Sequence, residues 1–490
     1  MTRKREQSER RRQPFLGRIR HVHMVGIGGI GMSSIAEVLL SRGYRVTGSD
    51  LKKSDVTDRL EALGAVVYEG HAAEQVGDAG VVVHSSAVDP ARNPETLEAA
   101  RRGIPLIPRA VMLGELMRMK FGIGIAGTHG KTTTTSMTGL VVAEGGFDPT
   151  IIVGGKVAVF DSNAVAGEGD VIVIEADEYD RTFLRLTPSL AVVTNIEAEH
   201  LDIYADLDDL MDAFVRYANS VPFFGAAILC LDDPNVQAVV SRIDRRVVTY
   251  GLARQADVRA ENLAHEGLTT RFDVIAGDEA LGTVVLRVPG TFNVQNALAA
   301  VAVGLELEIP FESIRAALAK YSGVHRRFEP VGEAGGVLVI DDYAHHPTEV
   351  RATLEAATAA FPDRRIVAVF QPHLYSRTRD FKEDFARAFF NADTLVVMDV
   401  YGAREEPEPG VTGSLVADLA KRFGHRDVHD VPDKAAMPAY VAALARPGDV
   451  IITLGAGDVW RYGRKLLTAL KQREAERASA PTREINGTST

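Results

Sequence analysis

The sequence predicts an α/β protein that is built from about three domains. Its 490 residues exceed the size of a single domain, for which about 150 residues is typical. Apolar segments that read as buried strands alternate with helical segments near both ends of the chain. Two glycine-rich turns, beginning at Gly26 and Gly127, each follow such a strand and precede a helix. This order is typical of α/β domains that bind phosphate groups.

The composition excludes several classes of protein. Hydrophobic residues make up 46% of the chain and charged residues 25%, as in globular proteins. The net charge of −11 argues against a general binder of nucleic acids or anionic membranes. No apolar run approaches the ~18 residues of a membrane span. The single cysteine, Cys230, has no partner for an internal disulfide, which favours a reducing, cytoplasmic location.

The first glycine-rich turn fits the dinucleotide-binding fingerprint. Gly26, Gly28 and Gly31 have the spacing G-x-G-x-x-G, and Asp50 lies 19 residues beyond the last of them. The pattern places a diphosphate at a helix N-terminus and a carboxylate near a ribose. We therefore expect ligand contacts from Gly28, Gly29, Ile30, Gly31 and Asp50. Taken alone, the turn suggests a nicotinamide-dependent dehydrogenase, although any nucleotide diphosphate would satisfy it and a purely structural turn stays open.

Two serines end the strand that begins at Val81. Ser85 and Ser86 stand at the carboxyl end of VVVHSS, where open α/β sheets bind ligands. We expect them to contact the ligand of this sheet. The alternative is an ordinary turn with two serines.

The second glycine-rich turn predicts an ATP site. The residues that follow the apolar strand FGIGIA are Gly127, Thr128, His129, Gly130, Lys131, Thr132 and Thr133. Glycines let backbone N–H groups surround an anion, a lysine reaches the terminal phosphates, and a hydroxyl can bind magnesium. The loop is shorter than the standard phosphate loop, whose first glycine is replaced here by Ile125. A glycine turn before a helix with a surface lysine is the structural alternative.

Two later strands end in acidic residues. The segment VIVIEADEYD carries Glu175, and TNIEAEH ends at His200. Acids at strand ends beside a phosphate loop can bring a hard cation to a triphosphate. Solvated loops are also acidic, so we expect only one or two ligands among them. On chemistry alone His200 is a weak magnesium ligand, because magnesium prefers oxygen donors.

An asparagine pair begins the apolar helix after Gly290. Asn293 and Asn296 are spaced i, i+3 and so share one helical face, where their amides could bind a purine edge. Helix capping by Asn293 explains the pair equally well.

The last third of the chain repeats the strand–helix alternation. Each apolar strand ends in polar residues, as a second doubly wound sheet predicts. The candidates for contact with an anionic ligand are Arg326, Arg327, Asp341, Asp342, His345, His346, His373, Arg377 and Arg379. Surface arginines are common, so any one of them could instead be solvated.

These motifs, taken together and in this order, resemble the Mur ligase family of bacterial cell-wall synthesis. The segments that carry the resemblance are GIGGIGMS, GTHGKTTTT, EADE, TNIEAEHLD, GTFNVQN, GVHRRFE, DDYAHHPTE and QPHLYSRT. They span nearly the whole chain. The opening GIGGIGMS and DDYAHHP favour the alanine-adding member of the family.

The resemblance implies an α/β fold with an N-terminal Rossmann-like domain, a central mixed-sheet domain of the P-loop ATPase type and a C-terminal Rossmann-like domain. We expect a disordered basic arm over residues 1–20 and a disordered tail over 473–490. Between them we expect a UDP-sugar domain over 21–118, an ATP domain over 119–324 and an amino-acid domain over 325–472. The glycine fingerprint then serves UDP-N-acetylmuramate and not a nicotinamide.

The resemblance also implies the reaction and the residues that carry it. The lactyl carboxylate of UDP-N-acetylmuramate would be activated by ATP as an acyl phosphate and joined to L-alanine, in peptidoglycan precursor synthesis, with magnesium. Lys131, Glu175 and His200 match catalytic positions, and Thr132, Glu175 and His200 match metal positions. Asn293, Asn296, Arg326 and Asp342 match ATP-side positions, and His345 and Arg377 match the amino-acid side. Three other functions stay open: a phosphate-loop kinase, a nucleotide-gated binding module and another Mur-type ligase. The oligomeric state also stays open, with a homodimer as one expectation.

Overall fold

The computed structural model describes residues 16–157, 162–199, 203–403 and 405–479. They divide into two compact units. The first contains the chain up to Leu263, Arg271–Val285 and Asn293–Val324, and the second contains Ala264–Thr270, Leu286–Phe292 and the chain from His325 onward. No helix in the described part is long and apolar enough to cross a membrane.

The N-terminal part of the first unit is a parallel sheet of five described strands. In space their order is β3-β2-β1-β4-β5. Its strands are β1 (His21–Val25), β2 (Arg45–Asp50), β3 (Val66–Glu69), β4 (Val81–His84) and β5 (Leu106–Pro108). Its helices are α1 (Ile30–Ser41), α2 (Asp55–Ala62), α3 (Pro94–Arg101) and α4 (Arg109–Arg118), with a 3₁₀ turn at Ala73–Val76. The strand order reverses between β1 and β4, so a crevice opens at their carboxyl ends.

The central sheet has ten described strands, in the order β15-β14-β13-β12-β11-β10-β6-β9-β7-β8. They are β6 (Phe121–Ala126), β7 (Thr150–Val157), β8 (Ser162–Ala166), β9 (Val171–Glu175), β10 (Leu190–Val193), β11 (Ala226–Cys230), β12 (Val247–Gly251), β13 (Val258–Glu266), β14 (Thr269–Ala276) and β15 (Glu279–Leu286). The helices of this region are α5 (Lys131–Glu144), α6 (Leu207–Ala218), α7 (Pro234–Val240), α8 (Thr291–Glu306) and α9 (Phe311–Lys320), with a 3₁₀ segment at Tyr179–Arg185. The sheet is mixed, because β6 is parallel to β9 and β10 whereas β8 is antiparallel to β7.

The second unit carries a sheet of six described strands, in the order β16-β17-β21-β18-β19-β20. They are β16 (Glu329–Ala334), β17 (Val337–Asp342), β18 (Ile366–Phe370), β19 (Thr394–Val397), β20 (Val428–Asp430) and β21 (Val450–Leu454). The helices are α10 (Pro347–Ala360), α11 (Tyr375–Asp380), α12 (Lys382–Ala388), α13 (Gly413–Arg422), α14 (Met437–Leu444) and α15 (Val459–Ser479). Only the edge strand β16 is antiparallel to its neighbour among the described pairings. The predicted α/β fold is confirmed, with a mixed sheet in the middle of the chain and Rossmann-like sheets before and after it in sequence.

The disordered arm and tail were predicted too long. Leu16 and Ile19 pack against the core of the first unit, because both side chains are apolar, so the prediction is wrong for residues 16–20. At the other end α15 runs through Ser479, and Arg473 donates hydrogen bonds to the carbonyl groups of Ala442 and Ala445 at the end of α14. Residues 473–479 are therefore helical. The remaining parts of both predictions, 1–15 and 480–490, lie outside the described residues.

Candidate active site

The phosphate loop connects β6 to the N-terminus of α5, and its backbone requires glycine at both ends. Gly127 has φ +137°, and a Cβ atom there would lie 2.0 Å from the hydroxyl of Thr194. Gly130 has φ +80°, and a Cβ atom there would lie 2.6 Å from Oδ1 of Asn296. These contacts and angles exclude a side chain at either position. The loop can therefore approach a ligand with bare backbone.

The end of β10 holds the loop in place. The side chain of Asn195 accepts the N–H of His129 at 2.8 Å and donates to its carbonyl at 3.0 Å. Thr194 donates to the same carbonyl at 2.6 Å. The carbonyl of Asn195 accepts the N–H of Thr128 at 3.0 Å. Asn195 thus fixes the loop backbone, a role that the sequence analysis did not assign to it.

Lys131, the first residue of α5, points back across the loop. Its ammonium donates to the carbonyls of Gly127 at 2.7 Å and Thr128 at 3.0 Å, and it lies 2.7 Å from Oε2 of Glu178. Burial alone would lower the pKa of Lys131, but the carboxylates of Glu178 and Asp177 outweigh it and raise the pKa above its ordinary value. A fixed cation therefore stands beside the free N–H groups of the helix.

Thr132 and Glu175 bring two side-chain oxygens together beside this cation. Oγ1 of Thr132 donates to Oε1 of Glu175 at 3.1 Å, and Oε2 of Glu175 accepts the N–H of Gly154 at 2.6 Å. Burial raises the pKa of Glu175, against the opposing effects of Gly154 and Lys131. A hydroxyl and a buried carboxylate at the end of a phosphate loop fit magnesium. The third predicted ligand, His200, lies outside the described residues.

The structure adds Glu178 and Asp177 to the site. Glu178 is 1% exposed and is the direct ion-pair partner of Lys131. Burial raises the pKa of Asp177, while the charge of Lys131 lowers it. Both residues were seen in the sequence only as members of an acidic run. Their spacing from Glu175 in EADE is the signal that could have distinguished them, because a short turn after β9 brings all three to one sheet edge.

Asn296 supports the phosphate loop from α8. Its Oδ1 accepts a hydrogen bond from Thr134 at 3.0 Å, and its Nδ2 lies 3.5 Å from Oδ1 of Asn293. Because α8 begins at Thr291, Asn293 lies inside the first turn and does not precede the helix. The pair therefore sits against the loop and its helix, where contact with a bound nucleotide stays a prediction.

A cavity of about 700 Å³ opens at the switch point of the first sheet. Of the predicted UDP-sugar residues, Gly28, Gly29, Asp50 and Ser85 line it. The remaining three, Ile30, Gly31 and Ser86, are not among its lining residues in the described part of the chain. The carboxylate of Asp50 accepts the N–H of Gly28 at 2.8 Å, which fixes the turn. Other lining residues are Lys52, Ser54, His71, Asp89 and Arg92.

Arg109 is a further cation that the sequence analysis did not select. Its Nη1 lies 2.7 Å from the position of a Cβ atom on Gly31, so its side chain covers the glycine turn. Burial raises the pKa of Asp177, and the charge of Arg109 is one of the effects that oppose this rise. Arg109 starts α4 directly after β5. Its position at the end of a strand could therefore have identified it from the sequence as a candidate for ligand contact.

In the second unit Arg326 lies at the carboxyl ends of the parallel strands. Its guanidinium donates to Asp341 at 3.0 Å and to the carbonyls of Gly455 at 2.5 Å and Gly457 at 3.4 Å. Asp342 accepts the N–H groups of Phe328 and Ala344, and burial raises its pKa to about 6.

The predicted amino-acid residues lie on the same unit. Nδ1 of His345 lies 3.0 Å from the carbonyl of Tyr343, and the rings of His345 and His373 are 5.9 Å apart. Arg377 is half-buried in α11, which follows β18. Their role in substrate binding stays a prediction.

Three models of known protein families together match almost the whole chain. Residues 21–121 match the description "Mur ligase family, catalytic domain", 125–304 match "Mur ligase middle domain", and 326–457 match "Mur ligase, glutamate ligase domain". The predicted domain boundaries are close to these, but the exact boundaries stay predictions.

Full-length relatives give the same result. The chain is 69% identical to UDP-N-acetylmuramate–L-alanine ligase of Salinibacter ruber, over 95% of this chain and 98% of the relative. It is 54% identical to the protein of the same name from Syntrophotalea carbinolica, over 94% and 100%. The crystal structure of UDP-N-acetylmuramate-alanine ligase from Thermotoga maritima has a TM-score of 0.77 at 28% identity, over 92% of this chain and 99% of that one.

Proposed function

The chain belongs to the Mur ligase family, and we propose that it is the ATP-dependent ligase that joins UDP-N-acetylmuramate to L-alanine in peptidoglycan precursor synthesis. The observation that carries this conclusion is the 69% identity to a ligase of that name over 95% of the chain. The phosphate loop around Lys131 is the part of the structure that fits an ATP-driven step. We therefore assign the glycine fingerprint to a UDP-sugar and set the dehydrogenase alternative aside.

The first step is the transfer of the terminal phosphoryl group to the lactyl carboxylate. A carboxylate oxygen attacks the γ-phosphorus, and ADP leaves, which gives an acyl phosphate. Lys131 provides a positive charge beside the transferring group, and the N–H groups at the start of α5 bind the phosphate oxygens. Gly127 and Gly130 let those N–H groups approach without a side chain between them. In this step Lys131 exchanges its contact with Glu178 for a contact with phosphate.

The second step forms the amide. The neutral amine of L-alanine attacks the acyl carbon, inorganic phosphate leaves, and the nitrogen gives up one proton and keeps the other as the amide N–H. An acyl phosphate is labile in water, so the ligase must align the amine before hydrolysis occurs; fixed alignment can supply effective molarities of ~10⁵–10⁸ M. We propose that His345 and Arg377 bind L-alanine. We propose nucleotide contacts for Asn293, Asn296, Arg326 and Asp342.

Magnesium belongs to this proposal. Thr132 and Glu175 would hold the ion, with His200 as the further ligand that the family resemblance implies. When bound, it would neutralise phosphate charge during transfer. We also propose that the protein acts in the cytoplasm and that two copies can form a homodimer.

The direct test is phosphate release from ATP in the presence of UDP-N-acetylmuramate, with and without L-alanine. We expect release to require both substrates and a muramoyl-alanine amide to accumulate in equal amount. Phosphate release that never depends on L-alanine would contradict the ligase assignment. Substitution of glycine or serine for alanine in the same assay measures the selectivity.

Lys131→Ala separates the two nucleotide sites. We expect it to abolish turnover, because the fixed cation is lost, while UDP-N-acetylmuramate binds with its normal affinity in calorimetry. Loss of UDP-sugar binding in this variant would show that the two sites are assigned wrongly.

A further inference from the structure

A chain of buried polar side chains crosses one face of the first sheet. His21 and His23 lie on β1, and Thr47 and Ser49 lie on β2. Residues two apart on a strand point to the same face, so the four side chains are neighbours. Glu95 of α3 contacts His23 and Ser49, and all three side chains are fully buried. A carboxylate in such a place has to be hydrogen-bonded to offset its desolvation.

Hydrogen bonds link these groups from the surface inward. The exposed Asp78 lies 2.8 Å from Nδ1 of His21, whose Nε2 lies 2.8 Å from the hydroxyl of Thr47. That hydroxyl lies 2.7 Å from Nδ1 of His23, and Nε2 of His23 lies 3.2 Å from Oε2 of Glu95. The chain is therefore continuous from solvent to the buried carboxylate.

The other end of the chain reaches the cavity of the first sheet. Ser49 donates to Oε2 of Glu95 at 2.6 Å, and its oxygen lies 2.9 Å from Nδ1 of His71. A hydroxyl has a single proton, and here Glu95 receives it. Nδ1 of His71 must therefore carry a hydrogen and donate to Ser49. Its Nε2 is the ring nitrogen left for a ligand, and His71 lines the cavity.

Glu95 places a negative charge beside His71. Burial raises the pKa of Glu95, but hydrogen bonds from His23 and Ser49 outweigh it and lower the pKa, so Glu95 is an anion. Oε1 of Glu95 lies 3.5 Å from Nδ1 of His71. The titratable or charged groups around this pair are His21 and His23 on β1, and Asp50, Lys52, Asp89 and Arg92 at the cavity wall.

We infer that His71 binds the diphosphate of the UDP-sugar through Nε2–H, and that Glu95, acting through Ser49, is the positioning residue that fixes this ring. The inference rests on the proposed function, which supplies the nucleoside diphosphate. An imidazolium donates from both nitrogens, one to Ser49 and one to a phosphate oxygen. Because only the protonated ring offers this second donor, we expect the affinity for the UDP-sugar to fall as pH rises.

Calorimetry with UDP-N-acetylmuramate between pH 6 and 8.5 tests this inference. The wild type should bind more weakly as pH rises, and a comparison of two buffers of different ionisation enthalpy should show that binding takes up protons. Glu95→Gln and His71→Gln should each weaken binding about tenfold at low pH and flatten the pH profile, with the KM for ATP unchanged. Glu98→Gln, on the same helix but outside the polar chain, is the matched control and should behave as the wild type.

The outcomes separate the inference from the proposed function. A wild type that fails to bind the UDP-sugar contradicts the proposed function itself. If the wild type binds the UDP-sugar and His71→Gln binds it with the same affinity and pH profile, the role of His71 is overturned. An altered His71→Gln variant beside an unchanged Glu95→Gln variant overturns the role of Glu95. If Glu95→Gln does not fold, the His71→Gln profile decides, because His71 lies at the cavity wall and its loss leaves the hydrogen bonds of Glu95 with His23 and Ser49 in place.

Discussion

The ion pair between Lys131 and Glu178 offers a quantitative test of the phosphate loop. Nζ of Lys131 lies 2.7 Å from Oε2 of Glu178, and the two side chains are 13% and 1% exposed. Glu178→Gln keeps the size of the side chain and removes its charge. The substitution leaves a buried cation with two carbonyl partners, Gly127 and Thr128, and with the more remote carboxylates of the site.

The expected cost follows from this geometry. Removing one partner of a buried pair costs about 3–5 kcal/mol, and the retained carbonyl bonds favour the lower end, about 3 kcal/mol. In a domain of this size each kcal/mol corresponds to roughly 2–4 °C in Tm, so we expect a decrease of about 6–12 °C. Asp209→Asn is the matched control, because it breaks an ion pair with Arg181 in which both side chains are a third exposed. It should cost less than about 1 kcal/mol.

ATP should reverse much of the loss. The triphosphate brings negative charge to Lys131, which replaces the charge of Glu178. We therefore expect Mg-ATP to raise the Tm of Glu178→Gln by more than it raises the Tm of the wild type. Asp209→Asn should show the wild-type response, since its ion pair lies outside the loop.

Thermal unfolding with and without Mg-ATP measures both effects. A Glu178→Gln variant that is as stable as the wild type without nucleotide would refute the assignment of a buried, energetically coupled pair. Equal ATP-induced shifts in the variant and the wild type would refute the exchange of Glu178 for phosphate as the partner of Lys131.

Two further predictions concern the loop backbone and the second unit. Gly127→Ala should abolish ATP binding, because its Cβ atom would overlap Thr194. In denaturant unfolding it should destabilise the protein by about 3 kcal/mol or more. The control is Gly146→Ala, at φ +84° with open space around it, which should cost only about 1 kcal/mol. The pKa of Asp342 is about 6 in the folded protein, against an ordinary value of 3.8. The folded state therefore binds this proton more tightly than the unfolded state, which stabilises the fold at low pH by about 3 kcal/mol. This contribution is lost as pH rises through 6. Unfolding of Asp342→Asn across pH 4–7 should lack that component of the pH dependence, and an unchanged profile would contradict it.

Local patterns were sufficient for the elements that carry the site. The glycine spacing and the apolar run before it predicted β6 and the start of α5, and the strand that ends at Glu175 was predicted in the same way. Each of these depends on residues that are close in sequence. The lengths of the arm and tail were wrong because charge-rich composition predicted disorder, whereas packing by Leu16 and capping by Arg473 decided the structure.

The partners of the functional groups could not be predicted in the same way. Asn195 and His129 are 66 residues apart, and Lys131 and Glu178 are 47 apart. Which acid of a run of acids meets the lysine depends on how the turn after β9 is directed. That direction is set by tertiary packing, so the sequence indicated a cluster of acids and left its members undistinguished.

The segment HVHMV shows the same limit most clearly. Alternation of histidine with apolar residues predicts a strand, and β1 is one, but it leaves open whether the histidines face water or the interior. His23 is buried because Glu95, 72 residues away, lies over it and accepts its hydrogen bond. A polar side chain in an α/β core is stable only when its partner is brought to it by another element. The acid beside Lys131 and the acid behind His71 are both of this kind, and this explains why neither could be assigned a role before the fold was known.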